Sequence, residues 1–127
     1  MPPFHCWPAA AHQFWLQLFQ PKMNGLNMLI AIIKFTVAKA DRDAAMTALL
    51  DETDTVCAMD GCIAFRPFAD PQDPTGCGIL HEWESEAAFK RYTTSAGFAA
   101  VGQILRPMMT TPPISRRFSA KLIETLA

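Results

Sequence analysis

The spacing of apolar residues changes several times along this chain, and each change marks an element. Residues 28–37 are apolar on both alternating faces and rich in β-branched side chains, which predicts a strand covered on both sides. Asp41 then offers a helix cap. Met46, Leu49, Leu50, Thr53 and Cys57 recur behind it at helical spacing, with Asp51, Glu52 and Asp54 on the other face. Asp60 and Gly61 end that helix. Cys62 to Phe68 reads as a short strand, Asp70 to Gly76 as a turn, and Cys77 to Glu84 as a strand pairing back antiparallel. Ser85 caps the next helix, with Glu86 in its first turn and Phe89 and Tyr92 on its buried stripe. Ser95 opens a further helical run on which Phe98, Val101, Gly102, Leu105 and Met108 recur, until Pro107, Pro112 and Pro113 break it. Ile114 to Ile123 reads as the last strand.

The order βαββαβ predicts an α+β fold of ferredoxin-like type, a four-stranded antiparallel sheet with the helices on one face. Strand alternation assigns Ile30, Ile32, Ile63, Phe65, Leu80 and Phe118 to the opposite face. An apolar patch of that extent is rarely left in water, so a homodimer is expected, with a second copy packed sheet against sheet. Residues 1–27 read as an N-terminal extension to the domain at 28–127, in which Phe14, Trp15, Leu16, Leu18 and Phe19 are apolar and Pro21, Asn24 and Gly25 suit a linker. Phe14, Trp15 and Leu18 suit a short helix docking on the partner subunit, with a natural start at Met23 or Met28 as the alternative. The extension lacks a basic leading segment, and His12, Gln13, Gln17 and Gln20 interrupt its apolar run, which argues against a secretory signal.

Composition narrows the class. A chain of 127 residues has room for one core, and with 50% of it hydrophobic and only 18% charged there is apolar surface to spare for a partner or a ligand. The formal charge of -1 offers no basic field for phosphates, so nucleic acid is not an expected partner. Lys34, Asp41 and later charges interrupt every apolar run before it could span a bilayer, so no membrane is expected and a cytoplasmic location is. Cys6, Cys57, Cys62 and Cys77 are too irregular for a disulfide framework and read as reduced thiols. A zinc site from Cys57, Cys62, Cys77 and His81 is the sharper alternative, but the spacing lacks a second close pair, and no metal is expected.

The segment His81-Glu82-Trp83-Glu84-Ser85-Glu86-Ala87-Ala88-Phe89, followed by Phe98, Leu105-Arg106-Pro107 and Pro112-Pro113-Ile114, resembles the antibiotic biosynthesis monooxygenase family of dimeric α+β barrels. Gly61 and the turn at Asp70 to Pro74 sit where that family has them. The resemblance implies two sheets closed into a barrel and a small-molecule cavity in each subunit between sheet and helices. Some members oxidise aromatic polyketides or quinols with molecular oxygen and no bound metal or flavin, and others degrade haem. Trp83 matches the cavity tryptophan of the polyketide-oxidising members, while the positions of their asparagine, tyrosine and arginine hold Ile79, Phe89 and Gln103. The asparagine, tryptophan and histidine of the haem-degrading members correspond to Ile33, Tyr92 and Gly102, which makes haem degradation a poor fit. His81 stands where the family often has Glu, and Gly97 where it often has His.

Alternation places Ile79, His81 and Trp83 on one face, toward the expected cavity. An imidazole with an ordinary pKa near 6.5 can take or give a proton at neutral pH, and it can equally be a core group held by a backbone carbonyl or by Glu84. Trp83 suits stacking on a planar substrate as well as core packing. His81 and Trp83 are the catalytic candidates, with Ile79, Phe89, Tyr92, Phe98, Gly102 and Leu105 around the substrate. A glycine within the helix at 102 would make room for a ligand or a close strand. Arg66 and Arg106 could hold an anion, although solvated surface charge explains them too. The functional expectation is an oxidoreductase, a monooxygenase without metal, flavin or other cofactor, acting on a quinol or another electron-rich aromatic. The alternative is a non-catalytic small-molecule-binding or stress-associated protein on the same scaffold.

Overall fold

The computed structural model of this chain describes residues 27–127. The expected leader helix and linker lie outside the described residues. Four strands, β1 (Met28–Thr36), β2 (Cys62–Ala69), β3 (Gly76–Trp83) and β4 (Ile114–Ala120), pair in the order β2-β3-β1-β4. Every pairing is antiparallel. Three α-helices connect them: α1 (Arg42–Cys57), α2 (Glu86–Thr93) and α3 (Ala96–Leu105). This is the expected α+β, ferredoxin-like arrangement. The core lies on the helix side of the sheet, where Leu29, Ala31, Phe35, Phe65, Cys77, Ile79 and Trp83 meet Ala45 and Leu49 of α1 and Ala88, Phe89 and Tyr92 of α2.

Local chemistry accounts for the joints. Ser85 and Ser95 have extended backbones, and their hydroxyls accept from Ala88 N at 3.1 Å and Phe98 N at 3.2 Å. Ser95 also donates to the carbonyl of Tyr92 at 2.6 Å, tying the end of α2 to the start of α3. Asp41 departs from expectation. It stands before α1 with a backbone already near helical, so its side chain cannot turn back to cap, and a 3-10 turn at Lys39–Asp41 leads into the helix instead. The α1 stripe consists of Ala45, Leu49, Val56 and Cys57, and Leu50, expected inside, is 55% exposed.

The β2–β3 turn is held from outside. The Arg42 guanidinium donates to the carbonyls of Asp70, Asp73 and Gly76 at 3.0, 2.7 and 3.4 Å. Asp73 Oδ1 accepts from Thr75 Oγ1 and Thr75 N, and this side-chain hydrogen bond is the main reason its carboxyl is held below the ordinary range. Among the described residues Gly61 alone has a left-handed backbone, with φ of 83°. A Cβ there would lie 2.5 Å from the Ala88 Cβ, so glycine lets the turn before β2 press against α2.

Two strand expectations change. A bulge between Cys62 and Ala64 sets two residues of β2 against one of β3 and reverses the phase, so Phe65 pairs with His81 and faces the helices, 2% exposed. Ile30, Ile32, Leu80 and Phe118 do share the open face, crossed by the rows Arg66–Leu80–Ile32–Arg116 and Glu82–Ile30–Phe118. The last strand stops at Ala120 rather than Ile123: Ala120 pairs with Met28, where β1 begins, and among the described residues no strand lies beyond it to pair with. Among the described residues no helix is long and apolar enough to cross a membrane.

Candidate functional site

One row of the sheet concentrates the chemistry. Phe65 pairs with His81, His81 with Ala31, and Ala31 with Arg117, so four residues from β2, β3, β1 and β4 cross the helix-facing side in register. Trp83 is two residues along β3 from His81 and fully buried. Above them α2 contributes Phe89 and Tyr92, four residues before which Ser85 and Ala88 fix the helix start.

These groups pack ring to ring. Trp83 and Tyr92 stack at 5.2 Å between centroids with 21° between planes. His81 meets Phe65, Phe89 and Tyr92 at 5.5, 5.6 and 5.8 Å. Phe98 of α3 closes edge-on against Tyr92 at 5.2 Å from the outer side and is itself 36% exposed. Such contacts each add about 0.5–1.5 kcal/mol to the burial of the rings. The rings fill the space between sheet and helices at His81. Two surface depressions, of about 140 and 310 Å³, lie elsewhere: the first is lined by Phe35, Phe68, Cys77 and Ile114, the second by Arg106, Met109 and Pro112, and neither includes a ring of the cluster.

The polar chemistry centres on His81. The indole Nε1 of Trp83 donates to His81 Nδ1 at 2.9 Å. An indole N–H can only donate, so Nδ1 must carry the lone pair, and in the neutral ring the proton sits on Nε2. Burial holds the ring neutral, aided by the positive charge of Arg117, and lowers its pKa from 6.5 to about 4. With Nδ1 occupied, His81 is placed to give a hydrogen bond rather than to take a proton, which weighs against the expected role as a base. Nε2 meets no acceptor among the described residues. His81 is 4% exposed and no fully buried side-chain polar atom among the described residues lacks a partner, so Nε2 lies at the margin of the packed rings rather than wholly within them. Burial, then Glu52 and Cys62, keep the Tyr92 phenol protonated well above its ordinary range. The Cys62 thiol is pushed up to about 12 by burial and by Glu82, so it is no nucleophile.

The structure thus gathers His81, Trp83, Phe89, Tyr92 and Phe98 into one cluster. Ile79, opposite Ile33, continues the same strand face, and Leu105 joins the common core. Gly102 is set apart: a Cβ there would meet only the Arg106 guanidinium, at 3.6 Å or more, so no close strand requires the glycine. Arg66 lies opposite Leu80 on the open face, and Arg106 is exposed beside Gly102, so neither expected cation reaches the cluster. Cys62 and Cys77 remain thiols, whereas Cys57 is disulfide-bonded, which corrects the expectation of four reduced cysteines. Among the described residues no three His, Cys, Asp or Glu side chains gather to hold a metal.

Two members of the cluster were not foreseen. Phe65 was hidden by the bulge. Arg117 belongs to a polar stripe, Ser115-Arg117-Ser119, on the inward side of β4, and a strand whose inward positions are polar was the available signal.

A family model described as antibiotic biosynthesis monooxygenase matches residues 28–103. No curated protein matches the chain. Among solved structures, a conserved protein from Methanosarcina mazei superposes with a TM-score of 0.73 at 15% identity, over 79% of this chain and 99% of that one. A protein from Caulobacter crescentus, named for the same family, gives 0.71 at 21% identity over 75% and 91%. Another so named, from Nitrosomonas europaea, gives 0.70 at 14% identity over 73% and 89%. At these identities the likeness to solved structures speaks for the fold.

Proposed function

The chain belongs to the antibiotic biosynthesis monooxygenase family, and we propose that it oxidises a quinol or similar electron-rich aromatic with molecular oxygen. In that reaction the ring gains one oxygen atom and loses two hydrogens, the second oxygen leaves as water, and all the electrons come from the substrate. The observation that carries the reading is His81, tied at Nδ1 by Trp83 so that its Nε2–H is left without an acceptor among the described residues, at the margin of the packed rings. A donor of that kind stabilises the substrate oxygen as an anion, and apolar walls strip water from it, which raises its reactivity toward oxygen. Trp83 acts as a positioning residue for His81, and Phe89, Tyr92 and Phe98, with Ile79 and Leu105 behind them, form the wall.

Oxygen uptake with a panel of hydroquinones, followed by mass analysis after turnover in ¹⁸O₂, tests this. Uptake with one labelled oxygen in the product supports it, and a rate unchanged in His81→Ala and Trp83→Ala rules out these residues. A second reading, a non-catalytic binding protein, draws on the tight packing of the cluster, which leaves a small molecule its exposed margin at Phe98 rather than room to react at the imidazole. Binding without uptake for every quinol would favour it.

The open sheet face supports a homodimer. Leu80 and Phe118 are 37% and 41% exposed beside Ile30 and Ile32, and a second copy would cover them. Leu80→Asp should shift sedimentation from dimer to monomer; a wild-type monomer at micromolar concentration would end that reading.

A further inference from the structure

We propose that Arg117, flanked by Ser115 and Ser119 on β4, is the specificity-determining residue of this site, binding the ionised oxygen of a planar aromatic ligand beside His81. The inference rests on the reading of the His81 cluster as a small-molecule site and adds the charge that site prefers.

Three observations converge on Arg117. Its place in the sheet comes first: the row Arg117–Ala31–His81 turns the guanidinium to the helix side, and Ala31 between them has no side chain long enough to separate the two. The cation is also pre-positioned. Its Cζ sits 4.9 Å from the centroid of Phe89, and its Nε donates to Ser115 Oγ at 3.3 Å. Phe89 in turn lies 5.6 Å from His81, so one ring borders both the cation and the imidazole. Finally, the charge is uncommitted: Arg117 meets no carboxylate among the described residues.

Position in the sheet keeps it reachable. Among the described residues β4 is an edge strand, paired with β1 alone and exposed from Ile114 to Ser119, whereas β2 and β3 lie beneath α1 and α2. A ligand can approach the guanidinium from solvent while its ring packs along the margin of Phe89. The planar fork suits an ionised oxygen, and the hydroxyls of Ser115 and Ser119, two residues to either side on the same strand face, supply further donors. Burial is the main cause of the lowered basicity of His81, and the Arg117 charge adds to it. Arg116, the neighbouring cation, points to the other face and lies over Phe118 at 5.6 Å, so it is a natural internal control.

Calorimetric titration of the full chain with 2-naphthoate and with uncharged 2-naphthol at neutral pH tests the proposal without any turnover. The wild type should prefer the carboxylate. Arg117→Met should weaken 2-naphthoate about tenfold or more and change 2-naphthol less than about twofold. Arg117→Lys should recover part of the loss, and Arg116→Met should leave both ligands as in the wild type. Equal losses for both ligands, an unchanged 2-naphthoate affinity in Arg117→Met, or no binding of 2-naphthoate by the wild type would each overturn it. A retained charge preference in a protein that consumes no oxygen would sink the monooxygenase reading and leave this one standing.

Discussion

The two faces of the sheet are built from alternate residues of the same strands, and they meet opposite fates. On β3 the helix side carries Cys77, Ile79, His81 and Trp83, all buried, while the other side carries Leu80 and Glu82, which solvent reaches. On β1 the division is Leu29, Ala31 and Phe35 against Ile30, Ile32 and Lys34. Hydrophobicity alone does not separate the faces, since the open one is at least as aliphatic. The difference is that helices α1 and α2 supply partners to one face, whereas the described chain supplies none to the other. The inner face can therefore hold an imidazole at a depressed pKa, and the outer face is left as contact surface.

The largest test of that contrast is a pair of truncations. Trp83→Ala should cost about 3–5 kcal/mol in denaturant unfolding, because it removes a fully buried indole and leaves the lone pair of His81 without its donor. Leu80→Ala, from the 37% exposed partner on the other face, should cost well under half as much under conditions where the chain is monomeric. Equal costs would mean that the two faces are not distinct in the way their burial indicates.

The next effect is a pH dependence. His81 has its pKa lowered from 6.5 to about 4, so the unfolded chain takes up a proton before the folded one does. The stability is present above pH 6.5 and is lost as pH falls from there toward 4, by up to about 3 kcal/mol. His81→Gln should flatten that slope, and NMR titration of the ring should show no protonation at pH 6. A ring titrating near 6.5 would place His81 in water and undo the inner-face assignment.

The smallest effect sharpens the boundary of the site. Gly102→Ala should raise stability by about 0.5–1 kcal/mol, since the added Cβ meets only the Arg106 guanidinium at ordinary contact distance and the helix gains rigidity. Ligand affinity should stay as in the wild type. A loss of binding would return Gly102 to the cavity, where the sequence reading put it.

Local signals in the sequence proved reliable where the structure depends on neighbours along the chain. Ser85 and Ser95 cap because a short hydroxyl side chain on an extended residue meets the amide three positions on, which requires nothing from elsewhere in the fold. Likewise, Gly61 and the Asp70 to Gly76 turn punctuate the strands through their own backbone preferences. Asp41 and Leu50 misled because a helix entry and a helix face are settled by what packs against them.

The sequence by itself determined the order of the elements, the two serine caps and the shared face of Ile79, His81 and Trp83, all of which follow from periods of 2 and 3.6 along one chain. Only the tertiary structure decided the rest of the site. A one-residue bulge in β2 turned Phe65 inward, rotamers brought the Trp83 N–H onto His81, and the pairing of β1 with both β3 and β4 set Arg117 in the same row as His81. Those are matters of register between strands distant in sequence, and register is written in the pairing rather than in any one segment.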